Sequence, residues 1–275
     1  MRQTGSVLYL AIDSLVPLQG RPLSGLEGFT QAMDRAGIPI VWTSSRTRQQ
    51  LDDPRRKMGH SHPFIAEGGC GAYLPEGYFH LRPEKSARLG RFICIPVAEQ
   101  QPAAADRLAE LAEAASLEVV PLRTLSPREL AQNAGLPVKQ ADLLRQRDFD
   151  ELFFLAGASL TDEHRLEAEA RARKMQLRRH GAIWSAAVGA SLPRCVGALA
   201  KLYDRALHRH LTTVAAATHK EAPDLFAACN RTILLSEGAD PNGELDIEPI
   251  RSRRTLSLAD PNLWDRLQEL VVARG

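Results

Sequence analysis

Asp13 is the first carboxylate of the chain, and it follows the uncharged run Val7-Leu8-Tyr9-Leu10-Ala11-Ile12. Such a run reads as a central, doubly buried strand of a parallel sheet. Open α/β sheets bind ligands beyond the carboxyl ends of their strands, so Asp13 points at the expected site. A second strand, Ile38 to Trp42, runs into Thr43-Ser44-Ser45-Arg46. Its local sequence leaves two readings open for the serines, a turn-forming hydroxyl or an N-cap for a helix from Arg48. Glu67 precedes Gly68 and Gly69 after a short apolar strand, a pattern that lets the backbone approach a ligand or a neighbouring strand closely. Arg147 lies beside Asp148 and Asp150 and reads as a helix C-terminus that pairs with one of them on the surface.

The elements that must position these groups follow from periodicity and punctuation. Ser24 offers an N-cap to a helix that stops at Gly37, which makes strand, helix, strand a crossover unit of a doubly wound sheet. Beyond about Leu81 the pattern changes. Strands are expected at 92–97 and 118–122, and helices at 103–116, from Ser126 with Pro127 in its first turn, and at 161–174. Another strand falls at 152–155, and 175–185 forms a strand pair or ribbon. The basic run Arg171 to Arg179 reads as a solvated helix face. Helical spacing over 196–207, strands at 211–217 and 232–235, a short helix at 223–229, a turn at 240–244 and a helix over 260–270 complete the chain.

These segments resemble the haloacid-dehalogenase (HAD) superfamily, and within it the mannosyl-3-phosphoglycerate phosphatase family. The resemblance rests on the first strand with Asp13, on Ser44-Ser45-Arg46 for the family's Thr-Ser-Lys, and on Pro63-Phe64-Ile65-Ala66-Glu67-Gly68-Gly69 continuing to Gly77-Tyr78-Phe79. It also rests on Gly135-Leu136-Pro137 with Gln146-Arg147-Asp148-Phe149-Asp150-Glu151. It implies an α/β fold: a Rossmannoid core of parallel sheet with helices on both faces, formed by 1–82 and 188–275, and an inserted α+β cap at 83–187. By the same resemblance Ser44, Ser45, Arg46, Glu67, Gln146, Arg147 and Lys220 would hold a substrate or its phosphate, with Gln146 and Arg147 near the glycerate or sugar-phosphate end. Asp13 would be the general acid/base.

The chemistry of the family is where the chain departs. Its first aspartate, the nucleophile, falls on Ala11. Its lysine falls on Leu192, with Arg194 two positions on, and its metal-ligating aspartates fall on Thr218 and Ala222. Phosphoryl transfer of this kind needs a carboxylate nucleophile, an acid/base, a lysine and acidic ligands for Mg²⁺. The expectation is therefore a HAD-like protein without aspartyl-phosphate chemistry, a pseudophosphatase with a binding or regulatory role. No cofactor is expected, and Mg²⁺ only if the family activity survives. The alternative is a divergent phosphomonoester hydrolase working through Asp13, with Lys220 neutralising that carboxylate. Candidate partners are a phosphorylated sugar or glycerate and, through the cap or Arg251-Ser252-Arg253-Arg254, another protein.

Composition limits other classes. A net charge of +2 is too small to imply nucleic-acid binding, and 44% hydrophobic with 25% charged residues is ordinary for a globular chain. No run suits a membrane span and no signal-peptide pattern is present, so a cytoplasmic protein is expected. Cys70, Cys94, Cys195 and Cys229 are widely spaced and read as reduced structural thiols.

Overall fold

A computed structural model describes residues 5–237 and 253–273. The chain opens with β1 (Gly5–Ala11), α1 (Leu26–Arg35), β2 (Ile40–Thr43), α2 (Arg48–Lys57), β3 (Phe64–Ala66), β4 (Gly71–Pro75), β5 (Ala87–Leu89) and β6 (Phe92–Pro96). It continues through α3 (Gln101–Ala115), β7 (Val119–Pro121), α4 (Pro127–Ala134), α5 (Val138–Arg145), β8 (Glu151–Leu155), α6 (Leu160–Ala172), β9 (Met175–His180) and β10 (Ile183–Val188). It closes with α7 (Leu192–Leu207), β11 (Leu211–Ala217), α8 (Ala222–Ala227), β12 (Arg231–Ser236), β13 (Arg253–Ser257) and α9 (Leu263–Val272).

Two sheets result. The larger has nine strands in the order β13-β12-β11-β1-β2-β3-β4-β6-β5, and the smaller has four in the order β7-β8-β10-β9. β1 lies at the centre, parallel to β11 and to β2. Its lack of polar alternation follows from that place. Leu8, Leu10 and Ile12 pack with Leu26, Phe29 and Leu267 on one face, while Val7, Tyr9 and Ala11 pack with Cys195, Leu199 and Leu225 on the other. This is the expected α/β core, with helices on both faces of a mostly parallel sheet and a separate α+β layer.

Several local expectations need correction. The core does not end at residue 82, because β5 and β6 pair antiparallel with the edge of β4 in the nine-stranded sheet. Phe92 and Cys94 turn inward there, and the Phe92 ring meets Phe64 edge-on at 5.0 Å, which completes the core's apolar layer. The chain leaves the core only after Pro96. Ser24 is not the N-cap of α1; Gly25 holds that position with φ 83°. A Cβ on Gly25 would lie 2.5 Å from the Trp264 ring, whose indole N–H donates to the Ser24 carbonyl at 2.6 Å. The basic run does not lie on one helix, since α6 ends at Ala172 and Arg178 and Arg179 stand on β9. β13 is a strand not anticipated in the sequence. The expected turn at 240–244 and residues Arg251 and Ser252 lie outside the described residues.

All four cysteines are free thiols. Among the described residues no helix is long and apolar enough to cross a membrane.

The connection that delivers β3 is held by a buried pair. His60 stacks on Trp42 at 4.4 Å, its Nε2 lies 2.7 Å from the Ile40 carbonyl, and its Nδ1 accepts from Arg55 Nε at 3.0 Å. An Nδ1 that accepts carries no proton, so His60 is neutral and donates through Nε2. Burial, with Arg55 beside it, pushes the imidazole well below its ordinary 6.5, and burial lowers His62 as well. Below about pH 6.5 the unfolded chain binds protons that the folded chain excludes, so stability is full above that pH and falls as the pH drops through it. Urea unfolding between about pH 7.5 and pH 5 should show this loss, at up to about 1.4 kcal/mol per pH unit for each histidine. The His60→Gln variant should show a shallower slope; an unchanged slope would contradict this assignment.

Candidate functional site

Beyond β1 and β2 the two chain ends wrap the Asp13 carboxylate. Ser44 Oγ donates to Asp13 Oδ1, and the Ser45 amide and hydroxyl donate to Oδ2 at 2.8 and 2.6 Å. Arg46 Nε stands 3.4 Å from Oδ1, and its Nη2 donates to the carbonyls of Asp13 and Val16 at 3.1 and 2.5 Å. Burial lowers the Arg46 guanidinium from its ordinary value, while the Asp13 and Glu221 carboxylates act the other way. Helix capping falls to neither serine, because Thr47 and Gln50 form a reciprocal capping box at the start of α2. The donors that could cradle an incoming oxyanion are directed instead at the protein's own carboxylate.

On the far side of Asp13, its amide donates to Glu221 Oε1 at 3.0 Å, and Thr218 Oγ1 donates to Glu221 Oε2 at 3.0 Å. The hydroxyls of Thr218 and Ser14 lie 3.1 Å apart. Burial raises the Glu221 carboxyl above its ordinary range and Asp13 adds to the shift. Lys220 does not neutralise Asp13; it is exposed on the same loop, and Arg46 holds that place. Ala11 and Ala222 belong to one apolar cluster, and Leu192 packs against it. Arg194 is exposed and its guanidinium turns back to the Gly189 carbonyl, so it does not stand in for a lysine at Leu192.

Glu67 binds the other layer rather than a ligand. Its carboxylate accepts from the backbone amides of Asp148, Phe149 and Asp150 at 2.9, 2.9 and 3.2 Å. Arg147 is buried, with its guanidinium bidentate on Asp150 at 2.5 and 2.6 Å and donating to the Ser45 carbonyl at 3.0 Å. The expected pairing with an aspartate is present, but inside the protein rather than on its surface. Burial pushes the Glu67 carboxyl upward, to about 8, and Arg147 opposes the shift. Arg48 and Tyr73 reach across to Asp148 at 2.7 and 2.8 Å. Gln146 is exposed and donates to Asp142 at 3.3 Å, so it does not face the site.

Between the two sheets runs a cleft with two adjoining chambers of about 790 and 320 Å³. Arg178 crosses it, donating to the Gly68 carbonyl at 2.6 Å and to Asp224 at 3.0 Å. Gly68 permits this approach, since a Cβ there would lie 2.3 Å from the guanidinium. His180 lines both chambers. Arg178, His180 and Gln50 were not anticipated. Period-two alternation along β9 was the available signal, because Leu177 turns into the cap's apolar cluster and leaves Arg178 and His180 on the opposite face.

Fold and site define a protein with the HAD-type architecture, an α/β core and an α+β cap closing over the carboxyl ends of its central strands. A HAD-superfamily phosphatase from Bacteroides thetaiotaomicron superposes with a TM-score of 0.66 at 14% identity, covering 99% of this chain and 98% of that one. A sugar phosphatase of HAD subclass IIB superposes with a TM-score of 0.63 at 10% identity, covering 98% and 100%.

In sequence, the chain is similar to curated phosphatases of one kind. It is 24% identical over 127 residues to the glucosyl-3-phosphoglycerate/mannosyl-3-phosphoglycerate phosphatase of Persephonella marina, a match spanning 46% of this chain and 45% of the relative. It is 25% identical over 149 residues to the mannosyl-3-phosphoglycerate phosphatase of Pyrococcus horikoshii, spanning 54% and 59%. The matches thus cover about half the length of these relatives. No family model matches the chain.

Replacing Glu67 by alanine would strand three cap amides and the buried Arg147–Asp150 pair without their central acceptor. Chemical denaturation should show a loss of about 3–5 kcal/mol. A change below about 1 kcal/mol would mean that Glu67 is not the anchor of the cap.

Proposed function

We propose that this chain binds an anionic small molecule in the cleft between core and cap and does not carry phosphoryl groups through an aspartyl-phosphate. The observation that carries this reading is that Ala11 and Ala222 belong to an apolar core cluster, with Leu192 packed against it. At these three positions the resemblance calls for a nucleophilic carboxylate, a metal-ligating carboxylate and a lysine. A methyl group forms no acyl phosphate, and neutral side chains offset no phosphate charge.

The reading does without magnesium. A hard divalent cation takes about six oxygens, preferably with carboxylates among them. Here both carboxylate oxygens and the carbonyl of Asp13 already accept from Ser44, Ser45 and Arg46, and Glu221 accepts from Thr218 and the Asp13 amide. The donor set does not fit the ion, and among the described residues no group of three or more His, Cys, Asp or Glu side chains is arranged for a metal. Hydrolysis by water activated at Asp13 is the weaker reading, since both oxygens of that carboxylate are engaged by donors.

The ligand's charge follows from what the cleft leaves unpaired. Among the described residues Lys220 makes no ion pair and the His180 imidazole makes no hydrogen bond, and Arg178, held by Asp224 and the Gly68 carbonyl, lines the same chamber. These groups accept an anion. The names of the relatives make a phosphorylated sugar or glycerate the first class to try.

Phosphate release from mannosyl- and glucosyl-3-phosphoglycerate, with and without Mg²⁺, should not exceed the protein-free blank. Ala11→Asp should lose about 1–3 kcal/mol of stability by placing a carboxylate at a buried position on the floor of the larger chamber, and should gain no turnover. Mg²⁺-dependent release by the natural chain, or turnover gained by Ala11→Asp, would overturn the reading.

A further inference from the structure

The two chambers share Asp13, Ser45, Gly68, Arg178 and His180 and differ in their remaining walls. The larger chamber carries the charged rim of Lys220, Arg179 and Asp224. The smaller runs beneath the cap; Leu18, Ala134, Leu136, Leu144, Leu152 and Ile183 form the apolar part of its wall, and Gln50, Arg147, Asp150 and Ser185 belong to its polar part. A sugar hydroxyl set against such a wall leaves water without regaining a hydrogen bond, whereas an apolar group gains by the same move.

Polar side chains of this chamber that lack a hydrogen-bond partner include the His180 imidazole and the Gln50 amide nitrogen. Gln50 is 3% exposed and lines it. Its Oε1 accepts from the Thr47 amide at 3.2 Å, which fixes the direction of the amide, and its Nε2 is buried with nothing to donate to. The acids of the cleft are satisfied by internal donors, while the Lys220 ammonium makes no ion pair among the described residues, so the charge required at the polar end is negative.

We propose that the cleft takes an organic anion with a compact apolar body. The anionic group lies among Lys220, Arg178 and His180, and a ring or branched chain lies under the cap against Leu136, Leu144 and Leu152. This rests on the binding function proposed above and names the class of ligand. A chamber of about 320 Å³ holds a body of that size.

Calorimetric titration of the whole chain with phenyl phosphate, phenylacetate, glucose 6-phosphate and inorganic phosphate tests it, with phosphate release measured in the same samples. At least one phenyl-bearing anion should bind about tenfold tighter than glucose 6-phosphate and than inorganic phosphate, and which of the two does so identifies the head group. Leu136→Asn should abolish that preference. Ile183→Thr, which keeps the β-branched shape of a strand residue, should weaken it without threatening the fold. Lys220→Ala should weaken every anion that binds by a similar factor. Glucose 6-phosphate binding as tightly as the phenyl compounds, no phenyl anion binding at all, or a preference unchanged in both pocket variants would overturn the proposal. Release of phosphate from phenyl phosphate but not from glucose 6-phosphate would support this ligand class while overturning the non-catalytic reading.

Discussion

The seating of one carboxylate, Asp13, in the turn after β2 is the constraint around which this molecule is arranged. The turn delivers two hydroxyls, an amide and a guanidinium to it within a few residues. Charge-assisted hydrogen bonds of this sort are stronger than neutral ones. β1 and β2 must be neighbours for this to happen, and their parallel register, with Ala11 opposite Thr43, brings Asp13 level with Ser44 and Ser45. Arg46 then extends beneath Asp13 to Val16 and fixes the loop that leaves β1. The donors of this turn are thus engaged by the chain's own carboxylate, and the proposed ligand's charge would be met from the cap side by Arg178 and from the Lys220 loop.

The same logic, a carboxylate surrounded by backbone donors, fixes the cap. Glu67 has φ 50° and is followed by Gly68 and Gly69 at positive φ, a sequence of backbone turns that points its side chain at the amides entering β8. Gly69 is required there because a Cβ would lie 2.5 Å from the Leu192 amide, where α7 begins. One short loop therefore joins core sheet, cap sheet and return helix. Arg147, Arg48 and Tyr73 add contacts at the same junction, and the cleft keeps its shape because these partners are buried between the layers.

Much of this was legible in the residues. The uncharged β1 announced a doubly buried central strand, Ser126 with Pro127 announced a capped helix, and the glycines after Glu67 announced a close approach. What stayed hidden depended on contacts distant in sequence. Glu67 looked like a ligand group because nothing near it in the chain reveals that residues 148–150 lie on it. Arg178 looked like part of a solvated helix because a basic run hides the two-residue period of β9. β13 escaped because Arg253 and Arg254 lower its hydrophobicity, which an edge strand tolerates and a central one does not. The core boundary was misplaced since β5 and β6 are short antiparallel additions whose allegiance is set by the aromatic stack of Phe64, Tyr73 and Phe92.

The claim that Asp13 fills the anion hole is tested most directly by removing it. Inorganic phosphate titrated into the natural protein and into Asp13→Ala should bind the variant at least about tenfold tighter, because Ser44, Ser45 and Arg46 are then left facing an empty, positively charged hole. Adding Ser44→Ala to that variant should reduce the gain. Equal affinity in the natural protein and the Asp13→Ala variant would contradict the account.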